Sequence, residues 1–535
     1  MTDTNNTLRV PSSPIEPSSP RPHDDSTVHG TVLDIEHMPV TDDPRKWSNF
    51  RKNFVLLQVA FGSMIAGLSA NIQNPSIEQM EADLNASSSQ ISLTIALFIL
   101  FQGAMPLLWS AVSEVKGRKA VYVSSLSIFF AGSLVVATSK TIGLVIGFRC
   151  LQATGSSAVM AIGAATLADI FDPAERGTKM GIYYMAPLLG PSLGPLLGGA
   201  LTTAFDWRGP FYFLAIVAGL VSLSFLLLFK DTFRRERSLA YQTALKRHLK
   251  EEALHEQKMM QKKMSVPSED VRKTEKPATP PEVEVNANND VEKQVEVHKK
   301  VQDMKLFLMD INPIKPLWIV LRRPNNFCIL ASSGLLFAFC FVVPYTMSRT
   351  LGTFYGYNAF EIGLVLLSFG IGSMAGSILG GRWSDYQLTK LKAANDGKGY
   401  PEMRLRSTVH GSILFPLLVL GFAWVCDRHV HVAGLVVMLF ACGFVVIFVY
   451  TSTLAYIVDS NVGRSSTAVA LNSCFRGVSA FVMTEVVVPM QDGLGDGWTY
   501  TIFAGLMIVA GLLSVLVMYK GGKWRTDSET RENAS

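Results

Sequence analysis

Long apolar stretches, each close to the length of a bilayer crossing, alternate with short polar segments along the chain. A hydrocarbon core of about 30 Å takes roughly 20 consecutive apolar residues in a helix. That ruler predicts six spans, a polar gap and six more. The first set covers approximately 53–74, 91–112, 119–138, 141–169, 178–203 and 209–230. The second covers approximately 326–349, 361–383, 408–426, 431–457, 465–489 and 498–519. The pattern divides the chain into a polar tail (1–52), a first bundle (53–230), a connector (231–325), a second bundle (326–520) and a short tail (521–535).

Composition agrees with the pattern. Of the 535 residues 49% are hydrophobic and 17% charged, against about 25% charged in a soluble domain. The formal net charge of +5 is too balanced for a polyanion-binding surface, so a nucleic-acid partner is not expected. Cys150, Cys328, Cys340, Cys426, Cys442 and Cys474 each lie in or beside an apolar run, as small buried hydrophobes do, rather than at the spacing of a disulfide framework. The first fifty residues hold no apolar stretch of the signal-peptide kind. The first span is therefore expected to act as the targeting signal.

Basic residues set the expected orientation. With both termini inside, nineteen lysines and arginines flank the spans on the inner side, among them Arg45, Lys119, Arg382 and Arg404. The outer loops hold only Lys140, Arg208, Arg349 and Arg428. Cytoplasmic loops carry such an excess of Lys and Arg, so both termini are predicted to be cytoplasmic.

The polar segments read differently from one another. Residues 1–44, with Ser13-Pro14 and Ser19-Pro20, have the composition of disorder. In the connector, Leu245, Leu249, Ala253, Met260 and Met264 fit one face of a basic helix. That face is read as a solvated tether or as a segment lying on the inner leaflet.

The halves echo one another. Ser110-Ala-Val-Ser-Glu114 ends the second span and Gly381-Arg-Trp-Ser-Asp385 the eighth, each placing an acid before a basic inner loop. A feature recurring six spans apart suggests duplicated halves. Span five carries Gly181, Gly190, Gly194, Gly198 and Gly199. Gly190, Gly194 and Gly198 step by four, so one bare helix face lets a neighbouring backbone approach. Pro187, Pro191 and Pro195 step by four as well, each removing an amide donor, and predict a bent helix.

The string Gly181-x8-Gly190-x3-Gly194-Pro195-x2-Gly198-Gly199 resembles the antiporter motif of the major facilitator superfamily. Arg149-Cys-Leu-Gln152-Ala-Thr-Gly155 resembles that superfamily's span-four motif, with Ala153 in place of a common Gly. Glu114-Val-Lys-Gly117-Arg118-Lys119 resembles its signature between spans two and three, with Glu114 for the usual Asp. Asp43-Pro44, Asn71-Ile72-x2-Pro75, Gln102-Gly103-x2-Pro106-x2-Trp109, Glu175-Arg176-Gly177, Tyr456-x2-Asp459 and Asn472-x3-Arg476 narrow the resemblance to the fungal twelve-span drug:proton antiporters. The resemblance implies the major facilitator fold, an all-α membrane protein with twelve transmembrane helices in two six-helix bundles. It also implies gating by Glu114, Gly117, Arg118, Asp385 and the span-five motif.

Ionisable residues inside spans are the strongest functional pointers, since each costs about 2.5–3.5 kcal/mol at mid-membrane on insertion scales. Arg149, Arg476 and Glu485 are such residues; with Gln152, Asn71 and Asn472 they are the candidates for proton coupling or for lining a substrate cavity. Glu485 is the weaker candidate partner for Arg149. Phe98, Phe337, Phe341, Tyr345 and Tyr450 are read as packed or lipid-facing aromatics, or as cavity walls. His410 is a histidine within a predicted span, and Asn85-Ala-Ser87 is a glycosylation sequon in the first outer loop.

These features predict a monomeric, proton-coupled secondary transporter exporting a small organic molecule by alternating access. Uptake by proton symport and a non-transporting membrane sensor are the alternatives. Nine histidines, mostly in tails and connector, argue against a membrane metalloenzyme, and no phosphate-loop pattern appears. No metal or cofactor is expected; the partners are the cargo, protons and the bilayer. The plasma membrane is the expected location, with the vacuolar membrane as the alternative.

Overall fold

The structure is a computed structural model that describes residues 42–235, 314–461 and 464–534, with isolated helical positions between 241 and 259. The predicted face of the connector (Leu245, Leu249, Ala253, Met260 and Met264) and the Ser-Pro pairs of the first tail lie outside the described residues.

Helices account for every regular element among those residues. The first bundle comprises α1 (Asn49–Asn71), α2 (Ile77–Leu84), α3 (Ser88–Ala104), α4 (Pro106–Lys116), α5 (Arg118–Thr138), α6 (Ile142–Ile170), α7 (Pro173–Phe205) and α8 (Gly209–Leu228). The second comprises α9 (Ile314–Arg322), α10 (Pro324–Thr353), α11 (Ala359–Ala393), α12 (Val409–Asp427), α13 (Val432–Ser460) and α14 (Ser465–Ala534).

Among the described residues twelve crossings emerge once two irregularities are resolved. The second predicted span is not one straight helix. It breaks into α3 and α4 with a bend of 40°. Pro106 stands at the first position of α4 and cannot donate its amide, which is why the ladder fails there. Conversely, α14 holds two crossings, separated where Gly495 takes φ 74°, a left-handed conformation that glycine tolerates. Helix α7 runs unbroken through Pro187, Pro191 and Pro195.

The helix starts are written locally. Ser87 accepts from the Gln90 amide while Gln90 reaches back, a reciprocal cap that begins α3. Asn358 and Glu361 do the same for α11, the corresponding crossing six spans later. Short η-type turns fill the junctions, as at Asn74–Ser76 after α1.

Two differences from the expected division concern the second bundle. A separate helix, α9, precedes its first crossing. The last helix does not end at the predicted membrane boundary but continues to Ala534. Glu532 there receives the Arg323 guanidinium in a two-pronged pair at 2.8 and 2.9 Å, and also Arg464 at 2.7 Å. These two arginines hold the Glu532 carboxyl down at about 2. All six cysteines are free thiols.

Candidate functional site

One rim of each bundle is built around one arginine. Arg118 donates to Glu114 at 3.0 Å and to Asp169 at 3.2 Å, and to the Ser113 hydroxyl. Arg404 donates to Asp385 at 2.9 Å and to Asp459 at 2.5 Å. Glu114 and Asp385 end the second and eighth crossings, and Asp169 and Asp459 close the fourth and tenth. The echo seen in the sequence is thus a repeated triad, acid–arginine–acid. The sequence reading named Glu114, Arg118, Asp385, Arg404 and Asp459 but not as partners, and missed Asp169, because the groups converge only when crossings pack. The signal for Asp169 was the match of Leu167-Ala-Asp169 to Ile457-Val-Asp459 at equivalent helix ends.

Gly117 has a distinct duty between α4 and α5. Its φ is 88°, and the Asp231 carboxylate occupies the place where a Cβ would project. That carboxylate accepts from the Arg118 amide at 3.1 Å. The loop signature therefore fastens the end of α8 to the start of α5.

At the opposite end, bare helix faces bring backbones together, first α7 on α1 within the first bundle and then across the halves. On α7, a Cβ at Gly198 would collide with the Ile72 carbonyl, and one at Gly190 would lie 2.5 Å from the Gly67 backbone. At Gly194 the nearest atom, Leu68 O, is 3.2 Å away, so the middle of the stripe is the least crowded. Gly199 meets Ala359 and Gly363 meets Pro195, joining α7 to α11 across the halves. Gly103 of α3 abuts Ser473 and Gly477 of α14 in the same manner. Gly372, Gly376 and Gly380 instead pack α11 on α13 within the second bundle. The predicted role for Gly181 concerns a position whose side-chain surroundings are not described.

The segments at the triad end part company. Helix α4 barely meets the second half, whereas α3 lies along α14. Ile182, Tyr184 and Met185 on α7, with Trp383 and Tyr386 on α11, are exposed. The halves are closed over the Asn85 end and apart toward the triads.

Arg149 lies within the closed part and is fully buried. Its Nη1 donates to the Ser69 carbonyl at 3.0 Å and to Gln152 Oε1 at 2.7 Å; Gln152 passes the chain on to Ser133 at 2.7 Å. Phe98 stands 4.1 Å from its guanidinium carbon and Phe211 5.7 Å. Nε and Nη2 have no partner, and no carboxylate pairs with it among the described residues. Rings offer the cation their negative faces, so aromatics stand in part for the missing anion.

Arg476 is the counterpart in the second half, partly buried at mid-crossing. Its guanidinium carbon is 3.7 Å from the Phe337 ring and 5.3 Å from Tyr450, whose hydroxyl accepts from Nη1 at 2.8 Å. Asn472, one turn earlier, accepts from Ser333 at 2.7 Å and approaches the same tyrosine hydroxyl at 3.4 Å. Tyr184, from the first half, lies within electrostatic reach of Tyr450.

The remaining candidates separate. Glu485 accepts from Ser92 at 3.3 Å across the closed end and does not pair with Arg149. Asn71 accepts from Asn74 at 3.2 Å. Phe98, Phe341 and Tyr345 are buried, while His410 is exposed. Asn85 is exposed with φ 48°, and its sequon partner Ser87 is engaged as the cap of α3. Asp83, nearby, is held below the ordinary carboxyl range by the Trp207 indole and Arg208. No group of His, Cys, Asp and Glu among the described residues could hold a metal ion.

A family model described as Major Facilitator Superfamily matches residues 59–484. The MFS antiporter QDR3 of Candida albicans is 27% identical over 93% of this chain and 82% of its own length. Citrate exporter 1 of Aspergillus niger is 26% identical over 90% of this chain and 88% of its own. Among solved structures, the human organic anion transporter MFSD10 (TETRAN) aligns with a TM-score of 0.52 at 16% identity, over 86% of this chain and 99% of that one. A bacterial homologue of the human lysosomal transporter Spinster, inward-facing and unoccupied, gives 0.56 at 12% identity, over 90% and 98%. Identities at that level establish a shared fold.

Proposed function

The chain belongs to the major facilitator superfamily, and from that premise we propose that it is a secondary transporter exporting a small organic molecule in exchange for protons by alternating access. The observation that carries the reading is the asymmetry of the interface. Two similar halves touch through glycine faces over one end and stand apart at the other, so a rocking motion exchanges the open side. Relatives named as an antiporter and as a citrate exporter support export rather than uptake.

Arg149 couples the exchange. A guanidinium stays protonated, so it does not carry the transported proton itself. Its uncompensated charge favours the ionised form of any carboxyl that comes near, whether on the cargo or on the protein, and disfavours a second cation. Gln152 and Ser133 hold it in place. Glu485, at the seam between α3 and α14, is the span carboxyl that moves with the seam when the halves separate. The paired rims of Arg118 and Arg404 act as gates on the cytoplasmic side, both termini lying there, in the plasma membrane.

The test uses purified protein in vesicles whose interior is more acidic than the medium, incubated with a cell metabolite extract and analysed by mass spectrometry. Exchange predicts that at least one small organic compound accumulates inside and that a protonophore abolishes the accumulation. Accumulation only in vesicles with an alkaline interior would establish symport and overturn the proposal.

A further inference from the structure

Arginines near the ends of the crossings have acidic partners. Arg118, Arg208, Arg323, Arg349, Arg404 and Arg525 each pair with a carboxylate within 4.0 Å or less. Arg476 has none among the described residues, although it stands midway along a crossing. Its Nε is buried and without any partner. Two aromatic rings and one tyrosine hydroxyl hold it, and none of them cancels a full charge. A cation in a low-dielectric setting is stabilised most by an anion placed against its fork.

The location favours an anion that arrives from outside the chain. Gly477, the next residue, packs on the Ile99 carbonyl and on Gly103, so Arg476 lies at the level where the two halves meet. Beyond that level toward the triads the halves diverge, and Tyr184 of the first half, half-exposed, lies within electrostatic reach of Tyr450. Arg149 is sealed, whereas Arg476 is only partly covered. One reachable cation therefore offers one anionic anchor, and the walls around it, Phe337, Tyr450 and Tyr184, are planar rings. Asn472 and the tyrosine hydroxyls supply neutral hydrogen-bonding groups beside the anchor.

We infer that the exporter's cargo is an organic carboxylate with a flat, apolar body, whose carboxylate is held by Arg476 and whose body lies against Phe337, Tyr450 and Tyr184. This rests on the transport reading above and adds to it the chemical class of the cargo. A guanidinium takes a carboxylate through two parallel N–H bonds, and on Arg476 only Nη1 is engaged, by the Tyr450 hydroxyl, while Nη2 is neither bonded nor buried. A cationic drug would meet the like charge of Arg476 at the same level.

The experiment separates charge from shape. Full-length protein in nanodiscs is titrated with naphthoate, with its neutral isostere naphthamide and with the cation tetraphenylphosphonium, and binding is read by calorimetry. Naphthoate should bind at least about tenfold tighter than naphthamide, because loss of one member of a desolvated charge pair is costly. Arg476→Gln should erase that preference without changing naphthamide affinity, and Arg476→Lys should keep part of it. Equal affinity for acid and amide, no binding of naphthoate, tighter binding of tetraphenylphosphonium, or an acid preference that survives in Arg476→Gln would each overturn the inference. If Arg476→Gln does not fold, the acid–amide comparison on the unaltered protein decides alone. Gradient-driven accumulation of a cation in vesicles would leave the exchange reading standing while this one fell; tight naphthoate binding without gradient-driven transport would do the reverse.

Discussion

Arg118 and Arg149 are both buried arginines of the first bundle, and their surroundings could hardly differ more. Arg118 has Glu114 and Asp169 on its guanidinium and Asp231 on its amide. Arg149 has a backbone carbonyl, one amide oxygen and two rings. The second bundle repeats the contrast, with Arg404 between Asp385 and Asp459, and Arg476 among Phe337, Tyr450 and Asn472. A charge that serves the fold is compensated by the fold, since breaking a buried pair leaves the remaining partner stranded. A charge kept without an anion in an expensive environment is held for something that comes and goes. In the proposed mechanism the compensated rim arginines serve as gates, and the uncompensated mid-crossing arginines serve coupling and cargo.

That comparison makes graded predictions. The largest effect belongs to the close packing of α7 on α1 in the first bundle. Gly198→Val should leave no active, monodisperse protein, because the new side chain would enter the Ile72 carbonyl; gel filtration after detergent extraction reads this directly. Gly194→Val, with its nearest neighbour at 3.2 Å, should remain folded and lose transport instead. Equal behaviour of the two would show that the stripe is not graded as the backbone contacts require.

Next comes the rim. Arg118→Ala should destabilise by about 3 kcal/mol, the lower end for a broken buried pair, since its acids are still a quarter exposed at 25% and 23%. Arg149→Ala should change stability by about 1 kcal/mol or less, in either direction, because it removes a charge together with the cost of burying it. Melting in detergent compares them, and a larger drop for Arg149→Ala would reverse the assignment of roles.

The smallest effect is at the last helix. Glu532 is ionised down to about 2 when folded, against 4.5 as its ordinary value. A lowered folded value means its contribution is present above about pH 4.5 and disappears as pH falls toward 2. Solvent screens this pair, so Glu532→Gln should cost under about 1 kcal/mol at pH 7 and nothing at the acid limit. A stability loss that is constant across that range would mean the clasp acts by packing rather than charge.

How much of this was written plainly in the sequence follows from the range of each interaction. Periodic apolar runs gave the crossings because a membrane helix satisfies its own backbone bonds. Gly190 and Gly198 were legible because close approach is a property of one helix face. Arg149 and Arg476 stood out because a charge in an apolar run has few explanations. Pro106 was visible, yet the span through it was read as continuous, since a proline kinks or breaks a helix according to its neighbours. The Glu532 clasp joins positions far apart in the chain, 323, 464 and 532, and no local pattern announces it. The aromatic partners of the two arginines were noticed as residues but not as partners, because ring and cation meet only through tertiary packing.

The measurement that bears most directly on the central claim is pH-gradient-driven transport by Arg149→Ala in reconstituted vesicles, using whichever compound the unaltered protein accumulates. The account predicts that gradient-driven accumulation falls to background while gel filtration and melting show a folded protein, and that Arg149→Lys recovers part of the rate, its point charge lacking the planar fork. Undiminished, protonophore-sensitive accumulation by well-folded Arg149→Ala protein would contradict it, and would make the unpaired arginine a passenger of the fold.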